Sequence, residues 1–409
     1  MSKSPSNPPP PAFKRIGWSN LFAQFSEQMA LAAAPLAAVL LLAAGPAETG
    51  WLQMAQTLPF LLLAIPAGLV ADRASRLRLM VSSEMLRALS LVATLLLMVS
   101  GLLTLPLLAA MGFVGAIGTV CYNVAAPALI PVIVPRAQLA DANRWLELAR
   151  SLAYSGGPAI GGAIVAWTGA SLAYVAATCL SLLSVVLLAG LGEHHQPAAA
   201  KRKLLQDLTE GARFLAGHTL LRPILVTAIV FNTAWFVLQA VYVAYAIRNL
   251  GMTATGVGIT LGIYGAGMMI GALAAPAIAR RVPFGVMIAL GPLGGLAAAA
   301  VMLSTIWMPS GVLAGLSFFL FGAGPVLWSI ATLTLRQAVT PNAMLGRVSA
   351  FITTATFGAR PIGAALGAVV ATRFGVEACL AVAATGFLVQ FLVIIASRVP
   401  QLRALPEAA

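Results

Sequence analysis

The sequence predicts an all-α membrane protein in which twelve transmembrane helices form two six-helix bundles. Of the 409 residues, 60% are hydrophobic and only 9% are charged, whereas about a quarter of the residues in a soluble domain are charged. So few polar side chains cannot cover the water-facing surface of a chain of this length, which excludes a soluble enzyme, a fibrous repeat and a disordered chain. Twelve apolar runs are long enough to cross a bilayer, and one long polar interval divides them into six and six.

Proline, glycine and charged residues separate the twelve runs, each close to the length of about 20 residues that a transmembrane helix needs. The runs cover residues 18–45, 50–71, 79–101, 104–127, 145–168, 171–192, 222–247, 254–279, 285–306, 310–335, 349–372 and 376–397. They predict one bundle over residues 16–192, a cytoplasmic linker over 193–221 and a second bundle over 222–398. Residues 1–15 and 399–409 are predicted to be cytoplasmic tails, the first of them disordered because it is polar and rich in proline.

The distribution of charge predicts the orientation in the membrane. The chain has 24 basic and 11 acidic residues, for a net charge of +13. If the N-terminus is cytoplasmic, 19 of the basic residues fall in cytoplasmic segments, and only Arg248 and Arg373 fall in segments on the other side. By the positive-inside rule we therefore expect a multi-pass protein of the inner membrane with both termini in the cytoplasm. Because this charge is spread over seven segments, no nucleic-acid partner is predicted.

The two predicted bundles share a sequence pattern. GGPAIGGAIVAWTGASLAYVAAT, which starts at Gly156, is similar to ARPIGAALGAVVATRFGVEACLAVAAT, which starts at Ala359, and Gly162 aligns with Gly367. This similarity predicts two halves of common origin. Parallel repeats of this kind place a substrate path at the interface between the halves, near the bilayer midplane.

The first run contains a single acidic residue, Glu27, within FAQFSEQMAL, and no basic residue lies within one helical turn of it. A carboxyl group in an apolar helix is a candidate proton carrier because apolar surroundings disfavour its charged form. We therefore predict Glu27 as the proton-coupling residue. Recognition of a cationic substrate group and a structural hydrogen bond are the alternatives.

The loop after the second run, GLVADRASRLRLM, combines an acidic residue with a basic cluster. Such an acidic residue can bridge to a neighbouring helix end while the basic residues hold the cytoplasmic face. The loop resembles the signature of the major facilitator superfamily, with Ser75 in place of its second glycine. The matching residues are Gly68, Asp72, Arg73, Arg76 and Arg78. The resemblance implies a major facilitator fold and a gating role for Asp72 and Arg73, which would stabilise the outward-facing state.

The third and fifth runs each contain an acidic and a basic residue spaced i, i+3. The pairs are Glu84 with Arg87 and Glu147 with Arg150. Residues at this spacing share a helix face and neutralise each other. We interpret both first as structural or gate ion pairs near the cytoplasmic helix ends, and second as members of a proton relay.

The fifth run also contains SGGPAIGG, in which glycines allow close helix packing and Pro158 permits a bend. It resembles the Gly/Pro-rich antiporter signature that many exporters of the superfamily carry, which implies export rather than import. The residues of this predicted hinge are Gly156, Gly157, Pro158, Gly161 and Gly162.

The seventh run carries Asn232, Trp235 and Gln239 at helical spacing on one face. They predict hydrogen bonds and an aromatic platform for an amphiphilic substrate, with packing as the alternative. Trp328 in the tenth run is predicted to extend this wall. Arg360 in the eleventh run has no acidic neighbour in the sequence, so we expect it either to attract an anionic substrate or to pair across helices with an acidic residue of the first or third run.

No phosphate-binding loop of the Gly-x-x-x-x-Gly-Lys-Ser/Thr type occurs, so ATP hydrolysis by that route is excluded. We predict no enzymatic activity, no cofactor and no metal site, and the proton gradient is the expected energy source. AAPALIPVIVPRAQLADANR, between the fourth and fifth runs, and ARPIG in the eleventh are most similar to the superfamily branch of enterobactin-type siderophore exporters and macrolide efflux proteins.

This resemblance implies a secondary transporter, functional as a monomer, that exports a small amphiphilic molecule, siderophore-like or drug-like, by alternating access. The implied coupling is proton antiport, in which proton binding at Glu27 and substrate binding compete. Nutrient uptake by proton symport, and a receptor or assembly factor that keeps the fold without transport, are the alternatives.

Overall fold

The computed structural model describes residues 11–134, 139–191 and 204–406, and these ranges contain long α-helices and no strand. The helices are α1 (Pro11–Leu41), α2 (Pro46–Arg73), α3 (Arg76–Val99), α4 (Leu105–Ile133), α5 (Leu139–Thr168), α6 (Ala170–Ala189), α7 (Leu204–Gly217), α8 (Leu221–Arg248), α9 (Ala254–Ala279), α10 (Phe284–Ser304), α11 (Gly311–Val339) and α12 (Asn342–Ile395). A short 3-10 helix, Val399–Gln401, follows α12.

The helix α12 contains two of the predicted transmembrane helices joined end to end. Its backbone leaves the helical conformation at Gly375, where φ is 83° and ψ is 174°. In the first half, α5 and α6 meet at Gly169, where φ is 89°. Glycine adopts such angles without the steric cost that a Cβ atom imposes. In each half, a single glycine therefore forms the connection between the last two transmembrane helices.

Contacts between helix ends define two sides of the molecule. Arg15, near the start of α1, donates a hydrogen bond to the carbonyl of Gly190, just after α6. The backbone N–H of Gly285, at the start of α10, donates to the carbonyl of Leu402 at 2.8 Å. We call this face the terminal side, and we call the opposite face, where α1 ends and α2 begins, the distal side.

The outer surface of the bundle is apolar. Leu96, Val186 and Leu273 expose 64%, 68% and 76% of their accessible area. A bilayer solvates such side chains and water does not. Within the described ranges, nine helices are long and apolar enough to cross a membrane, with the two crossings of α12 counted as one helix. The prediction of an all-α membrane protein is confirmed.

The interval predicted as a polar linker contains a helix, α7. This helix packs on the first part of α12. Arg347 Nη1 donates to Glu210 Oε2 across this contact at 2.5 Å, and Leu215 is fully buried. The apolar side of α7 thus belongs to the core of the second half.

The two halves touch mainly along two helix pairs, α5 with α9 and α2 with α12, and α2 also packs on α8. A Cβ atom on Gly258 would lie 2.8 Å from the Cα of Gly162, and one on Gly50 would lie 2.8 Å from the Cα of Ala368. Such close backbone approach requires residues without a side chain at these positions. We call these two contacts the distal seam.

A side chain adds a second connection between the halves on the distal side. Arg248, the last residue of α8, donates hydrogen bonds to the carbonyls of Ala43 at 2.7 Å and Ala44 at 2.8 Å, in the loop between α1 and α2. Ala43 has a left-handed backbone with φ of 53°, which costs an L-residue about 1–2 kcal/mol. The halves are therefore closed together on this side.

Candidate functional site

A cavity of about 360 Å³ lies between the two halves. Most of the polar and charged lining side chains come from the first half, and most of the aromatic ones come from the second half. The principal lining residues are Glu27, Gln28, Gln53, Gln56, Arg87 and Tyr154 from the first half, and Asn232, Trp235, Gln239, Tyr264 and Arg360 from the second. A volume of this size and a mixture of aromatic walls with a few polar groups are typical of small-molecule sites.

Arg87 of α3 lies between two carboxylates. Its Nη2 atom is 2.5 Å from Glu84 Oε1, and its Nη1 atom is 3.7 Å from Glu27 Oε2. Nη2 also donates to the carbonyl of Ala23 in α1 at 2.8 Å, and Ser181 Oγ of α6 donates to Glu84 Oε1 at 2.6 Å. The structure thus forms the pair that the i, i+3 spacing predicts and adds Glu27, which comes from a different helix.

The two carboxylates of this triad differ in their access to the cavity. The side chain of Glu84 is 1% exposed and that of Glu27 is 11% exposed, and only Glu27 and Arg87 line the cavity. Two ionised carboxylates around one guanidinium carry a net charge of −1. One proton bound at Glu27 would make the triad neutral.

Arg360 of α12 projects into an aromatic cage. Its guanidinium carbon lies 4.1 Å from the ring centroid of Phe357, 5.5 Å from that of Phe236 and 5.7 Å from that of Phe60. Its Nε atom is buried without a hydrogen-bond partner among the described residues. The acidic partners considered from the sequence pair with Arg87 instead, so the interhelical ion pair expected as one alternative is not formed.

The three residues predicted on one face of α8 all line the central cavity. Trp235 is largely buried because its ring stacks on Tyr264 at 5.2 Å and meets Phe321 edge-on at 4.8 Å. Asn232 donates to the backbone of its own helix. Trp328 does not extend this wall: it lines a second cavity that lies within the C-terminal half.

The glycine-rich segment of α5 has two packing faces. A Cβ atom on Gly157 would meet Gln28, and one on Gly161 would meet Met29, both in α1, while Gly162 faces α9 across the distal seam. Gly156 packs on the ring of Phe25 in α1, and Pro158 lines the cavity. The segment therefore joins α1 to the opposite half.

Several predicted gate residues are only partly described. The side chains of Gly68, Asp72, Arg73 and Glu147 lie outside the described part of the structure, as does the pairing expected between Glu147 and Arg150. Arg150 is exposed on α5. Arg76 and Arg78 begin α3, where Ser75 Oγ accepts a hydrogen bond from the backbone N–H of Arg78.

Five of the principal lining residues were not predicted, namely Gln28, Gln53, Gln56, Tyr154 and Tyr264. Each is a polar residue within an apolar run, which is the signal that would have found them. Gln56 Oε1 is buried without a partner among the described residues, so it is available to a bound molecule.

Two halves packed around a charged and aromatic cavity define a polytopic membrane protein of the major facilitator class. The chain belongs to the transmembrane secretion effector family of that class, whose profile matches residues 10–409. It is 31% identical over 258 residues to the enterobactin exporter EntS of Escherichia coli O1:K1 / APEC, and 30% identical over 259 residues to that of Citrobacter koseri. Each alignment covers 62% of this chain and 59% of the relative, so the chain matches about three fifths of these proteins' length.

Solved structures with the same fold are more distant in sequence. A POT family transporter in complex with 5-aminolevulinic acid superposes with a TM-score of 0.77 at 12% identity, covering 96% of each chain. A bacterial homologue of the iron transporter ferroportin in an inward-facing state gives a TM-score of 0.74 at 16% identity, covering 94% of this chain and 98% of that one. These similarities confirm the predicted fold. The family and these relatives are transport proteins, in agreement with the prediction of a chain that is not an enzyme.

Proposed function

We propose that the protein is a secondary transporter that exports a small amphiphilic molecule by alternating access and takes up protons in exchange. The observation that carries the proposal is the triad of Glu27, Arg87 and Glu84 in the wall of a cavity between two halves. Of the two carboxylates, only Glu27 lines the cavity, and its distance to Arg87 is the longer one, 3.7 Å against 2.5 Å for Glu84. Glu27 is therefore the group that can exchange a proton with solvent.

The way the halves meet supports alternating access. The distal seam closes one side of the cavity through helix contacts between halves. Rocking about this cavity would open the seam and close the terminal side, where the loop with Asp72 and Arg73 would act as the gate. The glycine-rich segment of α5 supports this role because it packs on both halves.

The direction and the substrate class rest on the relatives. The enterobactin exporters are similar to this chain over about three fifths of their length, and we extend export and a siderophore-like or drug-like substrate from them to this protein. By the positive-inside rule, the terminal side is the cytoplasmic face of the inner membrane. We propose that a monomer suffices because the cavity is formed within one chain.

Purified protein in proteoliposomes with an imposed pH gradient tests the proposal. We expect a siderophore-like or macrolide-like substrate to move against the direction of proton flow in wild type. Glu27→Gln should abolish gradient-driven accumulation and keep substrate exchange without a gradient. Glu377→Gln, which alters an exposed carboxylate on the distal side, is the matched control and should behave as wild type.

Two results would contradict the proposal. Unchanged coupling in Glu27→Gln would remove the proton role from this residue. Movement of substrate in the same direction as protons would identify uptake by symport instead.

A further inference from the structure

A second cavity of about 360 Å³ lies within the C-terminal half, between α8, α10, α11 and α12. It borders the central cavity, because Phe231, Asn232 and Arg360 line both. Arg336, in the last turn of α11 on the terminal side, lines its other part. Two arginines thus mark a route from the terminal side to the middle of the protein.

Neither arginine forms an ion pair among the described residues. The Nε atoms of Arg336 and Arg360 are both buried without a hydrogen-bond partner, and no acidic side chain lines the second cavity in the described part of the chain. In the central cavity, the one acidic lining residue, Glu27, is paired with Arg87. A buried charge is costly unless it is paired, so this half of the protein lacks the anions that its two guanidinium groups need.

The surroundings of Arg360 indicate the shape of the missing partner. A guanidinium is a planar fork that binds carboxylate, sulfonate or phosphate oxygens through paired hydrogen bonds. The rings of Phe60, Phe236 and Phe357 contact the guanidinium of Arg360. Thr227 Oγ1, also in the wall of the second cavity, is buried without a partner and can add a hydrogen bond.

We infer that the C-terminal half contains an anion-binding site, in which Arg360 binds the acidic group of an aromatic amphiphile and Arg336 attracts it at the terminal entrance. The use of this site in transport rests on the proposed function, whereas binding itself does not. The charge at Arg336 also interacts favourably with the C-terminal end of α11, so Arg336 is the weaker of the two sites.

A pair of fluorescent probes tests the site. Anilinonaphthalene sulfonate and phenylnaphthylamine share one aromatic body, and only the first carries an anionic group. Each is titrated into the full chain in phosphatidylcholine nanodiscs, with the signal of empty nanodiscs subtracted. We expect the sulfonate to bind wild type about tenfold more tightly than the neutral probe, the range expected for hydrogen bonds to a charged group.

Substitutions assign the site to residues. Arg360→Gln should weaken sulfonate binding about tenfold, and Arg336→Gln about threefold. Arg360→Lys should recover part of the loss. Arg280→Gln, which removes an exposed charge on the terminal side outside both cavities, is the matched control. Unchanged binding of the neutral probe reports that each variant is folded.

The inference is overturned if both probes bind wild type equally, or if Arg360→Gln leaves sulfonate binding unchanged. It is also overturned if phosphatidylglycerol in the nanodisc displaces the sulfonate, since the site would then hold a lipid headgroup. Failure of the proposed function would give a different result. A chain that binds the sulfonate at Arg360 but transports nothing would support the anion-binding site and contradict the role in transport.

Discussion

At the level of single residues, Arg87 holds the first half together around the cavity. It connects α1 and α3 through Glu27, Glu84 and the carbonyl of Ala23, and Ser181 extends the network to α6. Removing one member of a buried ionic network leaves the others without compensation.

Replacement of this arginine should destabilise the protein strongly. Arg87→Met leaves the buried Glu84 and the partly buried Glu27 unpaired, which we expect to lower the free energy of unfolding by about 3–5 kcal/mol. Adding Glu84→Gln to this variant should restore part of the loss. Thermal unfolding in detergent measures both, with Arg280→Gln as control. A single variant as stable as wild type would contradict the role given to Arg87.

The sequence contains part of this network but not all of it. Glu84 and Arg87 are neighbours on one helix, so their spacing alone predicts the pair. The contact with Glu27 depends on where α1 lies relative to α3 in the bundle, and no local pattern encodes that arrangement. The same reason explains why the aromatic cage of Arg360, built from α2, α8 and α12, was not predicted.

The backbone at Ala43 offers a second test. Its φ of 53° is left-handed, so Ala43→Gly should stabilise the protein by about 1 kcal/mol, and the β-branched Ala43→Val should destabilise it. Thermal unfolding of the two variants beside wild type measures the difference. If valine is tolerated as well as glycine, this loop does not hold the left-handed conformation.

At the level of helices, the distal seam controls how closely the halves approach. The glycines of α5 are predicted from the sequence as packing positions, but their contact with α9 across the halves is not. The reason is that small residues favour close packing without specifying a partner. The linker helix α7 was missed although Leu208, Ala212 and Leu215 follow helical spacing, because the stretch was interpreted by its polarity alone.

A bulky residue in the seam should separate the halves. Gly258→Leu places a side chain where a Cβ atom alone lies 2.8 Å from Gly162. Spin labels at Trp167→Cys and Trp307→Cys, which are 81% and 73% exposed on the distal side of opposite halves, report the separation after replacement of the native cysteines. We expect a longer mean distance than in the labelled parent. Gly256→Leu, on the same helix away from the seam, should leave the distance unchanged, and an equal effect of both would contradict the seam.

The hydrogen bonds of Arg248 should also hold the two halves together on the distal side. Arg248→Gln weakens two contacts from α8 to the loop after α1. Because Arg248 is exposed to solvent, we expect this change to cost only about 0.5–1.5 kcal/mol. The same label pair should therefore show a larger population of long distances. Arg373→Gln, the other basic position on the distal side, is the control. A change in the label distances in Arg373→Gln and none in Arg248→Gln would show that Arg248 does not connect the two halves.

For the molecule as a whole, the two halves carry different charged groups. The first half holds the carboxylates around Arg87, and the second half holds the unpaired Arg336 and Arg360. Composition and hydropathy predicted the twelve crossings because the bilayer fixes their length. They did not predict this division, which depends on which helix faces turn toward the cavity.

The most direct test of the account measures proton movement driven by substrate. Proteoliposomes loaded with a pH-sensitive dye receive a substrate gradient and no initial pH gradient. We predict that wild type moves protons opposite to the substrate, and that Glu27→Gln moves substrate without protons. Proton movement of wild-type size in Glu27→Gln, with substrate flux intact, would contradict the assignment of proton coupling to the triad of Glu27, Arg87 and Glu84.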